Sequence, residues 1–259
     1  THSGSVIVGT AAGGLIAVTW GPAAAYGIDT ASYALSALML LGITWRHRPP
    51  REPQSTWSDL VEGFRYALSR RDLLGTYLID TVAMVFAFPN ALFPFLADEL
   101  GSPSSLGLLY AVGAIGSLVA TATSGWTARV HRHGWAIIIA AATWGLCIAV
   151  AGMSHSLPIV LIALGAAGAA DMVSGLFRSL MWNLTIPDEL RGRLAGIELL
   201  SYSIGPQLGQ FRASLSANAF GLQRALISGG MTCVVLVSAT ASALPQLRRF
   251  TNDVAYSHK

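Results

Sequence analysis

Long apolar runs recur along this chain, and its basic residues fall almost entirely in every second gap between them. Runs of membrane-spanning length cover roughly 5–20, 22–44, 73–97, 105–127, 135–153, 157–182, 194–217 and 221–244. Each is close to the ~20 residues that cross a hydrocarbon core. The gaps on one side carry Arg46, Arg48, Arg51, Arg65, Arg70 and Arg71, then Arg129 and Arg132, then Arg191 and Arg193, then Arg248, Arg249 and Lys259. The gaps on the other side carry no Lys or Arg. This asymmetry follows the positive-inside rule. It predicts an all-α, multi-pass protein of the inner (plasma) membrane with both termini in the cytoplasm.

Composition points the same way. Hydrophobic residues make up 53% of the 259 residues and charged ones only 11%, against about a quarter in soluble domains. A soluble helical protein would lack the polar helix faces needed to cover eight such runs. The net charge of +3 does not indicate nucleic acid, because the arginines sit at membrane borders, where anionic headgroups meet them. The expected partner is therefore the lipid bilayer. Cys147 and Cys233 lie inside apolar runs and read as small buried hydrophobes. The first residues, Thr1 to Ser5, show no signal peptide and no initiator Met, a start that looks cut.

The longest polar interruption, 45–72, opens on Arg46-His47-Arg48-Pro49-Pro50-Arg51, a helix-breaking stretch. Thr56-Trp57-Ser58-Asp59 resembles a capping box. Trp57, Leu60, Val61, Phe64 and Leu68 then share one helical face. This predicts a cytoplasmic loop with a surface-lying amphipathic helix. It separates the two spans of 1–44 from the six of 73–244, with a cytoplasmic tail at 245–259. The segment 187–193 has Pro187, Asp188 and Glu189 placed as a helix start prefers. Small residues recur four apart as Gly9/Gly13, Gly113/Ser117 and Gly205/Gly209, the spacing of helix-packing glycines.

Several stretches resemble the major facilitator superfamily, in its enterobactin exporter-like and macrolide-efflux-like branch. Pro187-Asp188-Glu189-Leu190-Arg191-Gly192-Arg193-Leu194-Ala195-Gly196 resembles that branch's loop before helix eleven. Gly205-Pro206-Gln207-Leu208-Gly209-Gln210, followed by Arg212, resembles its helix-eleven signature. Gly21-Pro22-Ala23-Ala24-Ala25-Tyr26 and Ser32-Tyr33-Ala34-Leu35-Ser36-Ala37 resemble the turn into helix six and helix six itself. The resemblance implies a partial superfamily fold, helices five to twelve of twelve, with helices one to four absent and required for the complete cavity. Two positions depart from it. Thr10 stands where the helix-five motif has proline, and Arg129 stands four residues after Gly125 where the loop after helix eight has Asp.

What the resemblance implies functionally is a secondary transporter. It would export a small amphipathic molecule, a siderophore or drug, against protons by alternating access. Charged groups inside spans need an explanation. Asp80 shares a helix face with Tyr77 and Met84, and Pro89 and Pro94 flank Asn90 further out, predicting a bent or unwound outer half. Asp80 is either a cavity carboxylate for substrate or proton, or one paired with a neighbouring helix. Asp171, Gly175 and Arg178 share a face of the 157–182 span. Asp171 is the deeper and a proton candidate, while Arg178 is assigned to structure or gating. Glu198 is expected in an inner-gate ion pair with Arg191, Arg193 or Arg178. Arg129 belongs with the second gate element, 125–134. Tyr202 and Gln207 offer hydrogen bonds to a substrate, and Trp144 and Trp182 offer aromatic surface.

Other features read as structural. Asp29 carries an incidental charge, and Arg212 and Arg224 snorkel outward. His131 and His133 belong to a solvated basic loop rather than a metal pair. No catalytic motif, cofactor-binding loop or metal-ligand spacing occurs, so no enzyme is expected. The alternative to a transporter is a non-transporting protein: a truncated remnant, a membrane scaffold or a partner-dependent subunit.

Overall fold

A computed structural model describes residues 20, 22–41, 65, 69–186 and 188–251, of which 22, 25, 40, 41 and 188–202 are described by backbone alone. The run 5–20, with Gly9 and Gly13, and the amphipathic helix of the 45–72 loop lie largely outside the described residues. The chain divides into two compact units, 1–56 and 57–259. In the first, α1 runs Pro22–Leu41. It is stitched locally by Thr30, Ser32 and Ser36, whose hydroxyls donate to backbone carbonyls one turn back.

The second unit is a helical bundle. Its elements are α2 (Arg71–Ala87), a 3₁₀ turn (Asn90–Leu92), α3 (Phe93–Glu99), α4 (Leu106–Ala122), α5 (His133–Met153), α6 (Leu157–Thr185), α7 (Asp188–Phe220), α8 (Leu222–Ala243) and α9 (Pro245–Arg249). No strand occurs among the described residues. Among the described residues, five segments are long and apolar enough to cross a membrane: Arg71–Glu99, Pro103–Ala122, His133–Met153, Leu157–Thr185 and Leu222–Ala243.

The ends of these helices follow from sequence. Asp72 in the first turn of α2 complements the helix dipole and pairs with Arg70 at 2.8 Å. At its other end α2 stops before Pro89. Phe88 takes an extended backbone, as residues before proline do. The apolar run 73–97 is thus a broken span rather than one helix. Leaving α3, Gly101 takes φ +65°, and the amides of Gly101 and Ser102 donate to Asp98 and Ala97 carbonyls, a Schellman closure. A single residue, Gly221 at φ +92°, separates α7 from α8.

One run ends differently from expectation. The run 105–127 is helical only to Ala122, and Ser124–Arg129 continues as 3₁₀. In the segment 187–193, where Pro187 and two acids are placed as a helix start prefers, the helix begins at Asp188.

In the bundle, α5 packs between α6 and α8, α4 lies on α6, and α2 sits against α8, α7 and α5. Burial agrees: 56% of the α5 window is buried against 17% for Pro103–Ala122, which puts α5 at the centre and α4 at an edge. Where helices touch most closely they do so through glycine. A Cβ on Gly116 would strike the Gly165 carbonyl, and one on Gly168 would strike Gly113. Ser117 Oγ donates to the Gly168 carbonyl at 2.8 Å across the same α4–α6 contact. Gly145 and Gly230 do the same for α5 and α8. Without water to drive helices together inside lipid, such backbone proximity and interhelical hydrogen bonding supply the attraction.

Candidate functional site

The most polar buried place in the described bundle is the seam between α2 and α6. Thr76, Tyr77 and Asp80 occupy one face of α2, at i, i+1 and i+4. Arg178 and Trp182 occupy one face of α6, at i and i+4. The Asp80 carboxylate and the Arg178 guanidinium form an ion pair whose side chains are 5% and 3% exposed. One turn toward the end of α6, Trp182 Nε1 donates to Thr76 Oγ1 at 3.0 Å. The Thr76 hydroxyl passes its own proton to the Leu73 carbonyl at 2.7 Å. Tyr77 stacks on the Trp182 ring with centroids 5.1 Å apart. Phe177 and Met181, on the same stretch of α6, are fully buried.

Asp171 lies two turns deeper on α6, half-buried, midway between Leu157 and Thr185. Gly175 stands between it and Arg178. A Cβ on Gly175 would come 3.8 Å from an Arg178 terminal nitrogen. The guanidinium therefore lies back along its helix, the direction helical side chains take, between Asp80 on α2 and Asp171 on α6. Asp171 is thus the next carboxylate along α6 from the buried Asp80–Arg178 pair.

The other expected residues fall elsewhere. Met84 is buried against Gly205 and Gly209 of α7, so the face shared by Tyr77, Asp80 and Met84 divides between two neighbouring helices. Gln207 is exposed on a different face of α7 from those glycines. Arg129 is exposed at the end of the 3₁₀ turn. The side chains of Tyr202, Glu198, Arg191 and Arg193 lie outside the described residues. Among the described residues no group of three His, Cys, Asp or Glu side chains could hold a metal ion.

Arg178, assigned to structure or gating, pairs with Asp80 on α2, the carboxylate expected either in a cavity or paired with a neighbouring helix. Two expectations are corrected. Arg212 does not snorkel: its Nε donates to the Val85 carbonyl at 3.0 Å, and its guanidinium lies 5.9 Å over the Phe86 ring. The cause is Pro89, which has no N–H to give the Val85 carbonyl one turn before it. Pro94 likewise gives no amide to the Asn90 carbonyl, which accepts instead from the Phe93 amide in the 3₁₀ turn and from Tyr110 Oη at 3.2 Å. At both ends of the break between α2 and α3, a side chain from another helix reaches a carbonyl that proline leaves without its helical donor. His133 is not solvated. It is 3% exposed, between the rings of Phe177 at 5.4 Å and Phe250 at 6.3 Å, because α9 folds Leu247 and Phe250 over the start of α5.

The chain is similar to the protein named enterobactin exporter EntS from Escherichia coli O81 (strain ED1a), E. coli O1:K1 / APEC and Shigella boydii serotype 18. In each case 29% of residues are identical over 250 residues, covering 92% of this chain and 58% of the relative. The chain therefore spans somewhat over half the length of these curated relatives. No family model matches it, and no solved structure does. Similarity to an exporter and five apolar helices agree on a multi-pass membrane protein.

Proposed function

We propose that this chain forms helices five to twelve of a twelve-helix secondary transporter of the major facilitator superfamily. The transporter exports a small amphipathic molecule, a siderophore or hydrophobic drug, by alternating access coupled to proton entry. The similarity to proteins named as enterobactin exporters supports the efflux reading. The observation that carries it is the buried Asp80–Arg178 pair with Asp171 two turns deeper. Such charges are costly inside a membrane and mark substrate or ion pathways.

In this reading Arg178 is the fixed charge and the two carboxylates compete for it. With Asp171 protonated, Arg178 is held by Asp80. When Asp171 gives up its proton, it draws the guanidinium back along α6 and loosens the α2–α6 seam. Tyr77 and Trp182, stacked beside the pair, present the surface on which an aromatic or apolar substrate part rests. The segments 125–134 and 187–193 act as cytoplasmic gate elements, and both chain termini face the cytoplasm.

Transport by the full-length protein in inverted membrane vesicles tests this. Asp171→Asn is expected to abolish proton-driven efflux while leaving substrate-dependent quenching of tryptophan fluorescence in place. Unchanged proton-driven efflux in both Asp171→Asn and Asp80→Asn would show the charges to be structural.

A further inference from the structure

We infer that the outer side of α5 and α6 carries a binding groove for an acidic phospholipid. A cavity of about 550 Å³ lies within the ~300–1,000 Å³ range of small-molecule sites. Its walls are Ile139 and Thr143 of α5 with Ala166 and Val173 of α6, and its mouth is Trp126 and Arg132. The inference does not rest on the transport reading and concerns residues outside the α2–α6 seam.

Three observations choose the occupant. The walls are almost wholly apolar, and small side chains on α6 (Ala166, Ala169, Ala170) open the slot, so an alkyl chain fits where a polar ligand would find no partner. From Arg132 to Thr143 the groove follows α5 for about 16 Å by the helical rise, the depth of one leaflet of a hydrocarbon core, about 15 Å. Only one end is charged. Arg132 lines the mouth, exposed, with exposed Arg129 and His131 on the same short connection, and no acidic residue lies in 124–135. Trp126 and Trp135, about two-fifths exposed, stand where tryptophans favour the headgroup level. An apolar slot of leaflet depth with a cationic rim fits one acyl chain of a phospholipid whose phosphate rests on Arg132. Basic pockets between helices on the cytoplasmic side recognise acidic headgroups in this way.

The test uses the purified full-length protein in detergent. Native mass spectrometry counts bound phosphatidylglycerol, and thermal unfolding is followed with phosphatidylglycerol, phosphatidylcholine or inorganic phosphate added. Phosphatidylglycerol is expected to bind and to raise the unfolding midpoint more than phosphatidylcholine. Arg132→Ala should weaken phosphatidylglycerol binding roughly fivefold, the worth of one basic residue at a membrane surface, and leave phosphatidylcholine unaffected. Ala166→Phe, which fills the slot from an exposed position, should displace both lipids. Equal effects of the two lipids, stabilisation by inorganic phosphate alone, or retention of the phosphatidylglycerol preference in both variants would overturn the inference.

Discussion

Removing one member of the Asp80–Arg178 pair should be far worse than removing both. The two side chains are 5% and 3% exposed, so neither can recover hydration when its partner goes. Breaking a buried pair costs about 3–5 kcal/mol, whereas replacing both members with apolar residues of similar volume is often neutral or stabilising. The two single variants should also differ. Asp80→Asn leaves a buried guanidinium, which cannot deprotonate, without the carboxylate it pairs with. Arg178→Met leaves a carboxyl that can take up a proton and become neutral. Asp80→Asn should therefore cost about 3–5 kcal/mol, and Arg178→Met nearer the ~1–3 kcal/mol of an unsatisfied polar group. The double variant Asp80→Leu/Arg178→Met should recover most of either loss. Reversible unfolding of the purified protein in mixed detergent micelles, followed by tryptophan fluorescence, measures these variants against the parent, with Asp80→Leu as the single that closes the cycle. A double variant as unstable as the sum of the singles would refute the pairing. Asp80→Asn within 1 kcal/mol of the parent would show that water reaches the pair.

Other substitutions probe the supports of the seam and of the broken span. Arg212→Met should cost about 1–3 kcal/mol by the same unfolding assay, because the Val85 carbonyl has neither an amide from Pro89 nor a side-chain donor. Trp182→Phe keeps the stack on Tyr77 but loses the bond to Thr76, and should cost about 1 kcal/mol; no change in the unfolding midpoint would mean that bond contributes nothing net. Gly168→Val places side-chain atoms on the Gly113 backbone and should separate α4 from α6, with loss of folded protein in size-exclusion chromatography, whereas Gly107→Ala, which meets nothing within 4 Å, should behave as the parent.

The spans were readable because apolar length and arginine placement are properties of single segments. The break between α2 and α3 was readable for the same reason: Pro89 and Pro94 announce missing amides wherever they occur in a helix. The helical start at Asp188 was readable in the same way, because Pro187 and two acids suit a helix N-terminus. What segment reading cannot reach is partnership. Asp80 and Asp171 were visible as intramembrane charges, but nothing local says which helix lies opposite. Met84 shares a face with Tyr77 and Asp80 on a helical wheel, yet its neighbour is α7, where Gly205 and Gly209 leave the space that it fills. His133 was masked by its company. Surrounded in sequence by arginines, it is buried because α9, more than a hundred residues later, closes over it.

The three arginines that do not sit at a border separate these cases. Arg224 is exposed and needs no partner. Arg178 and Arg212 each found a buried acceptor, and the two acceptors differ in kind. For Arg178 it is a carboxylate, a charge that the sequence displays. For Arg212 it is a backbone carbonyl, made available only because a proline stands one turn later. That second acceptor could have been found from sequence. Every proline inside a membrane helix frees a carbonyl four residues back that lipid will not satisfy, so a side chain, a water or a local 3₁₀ bond must meet it. Pro206 within α7 poses the same demand at the Tyr202 carbonyl. Counting such carbonyls before assigning arginines to the interface would have placed Arg212 inside the bundle.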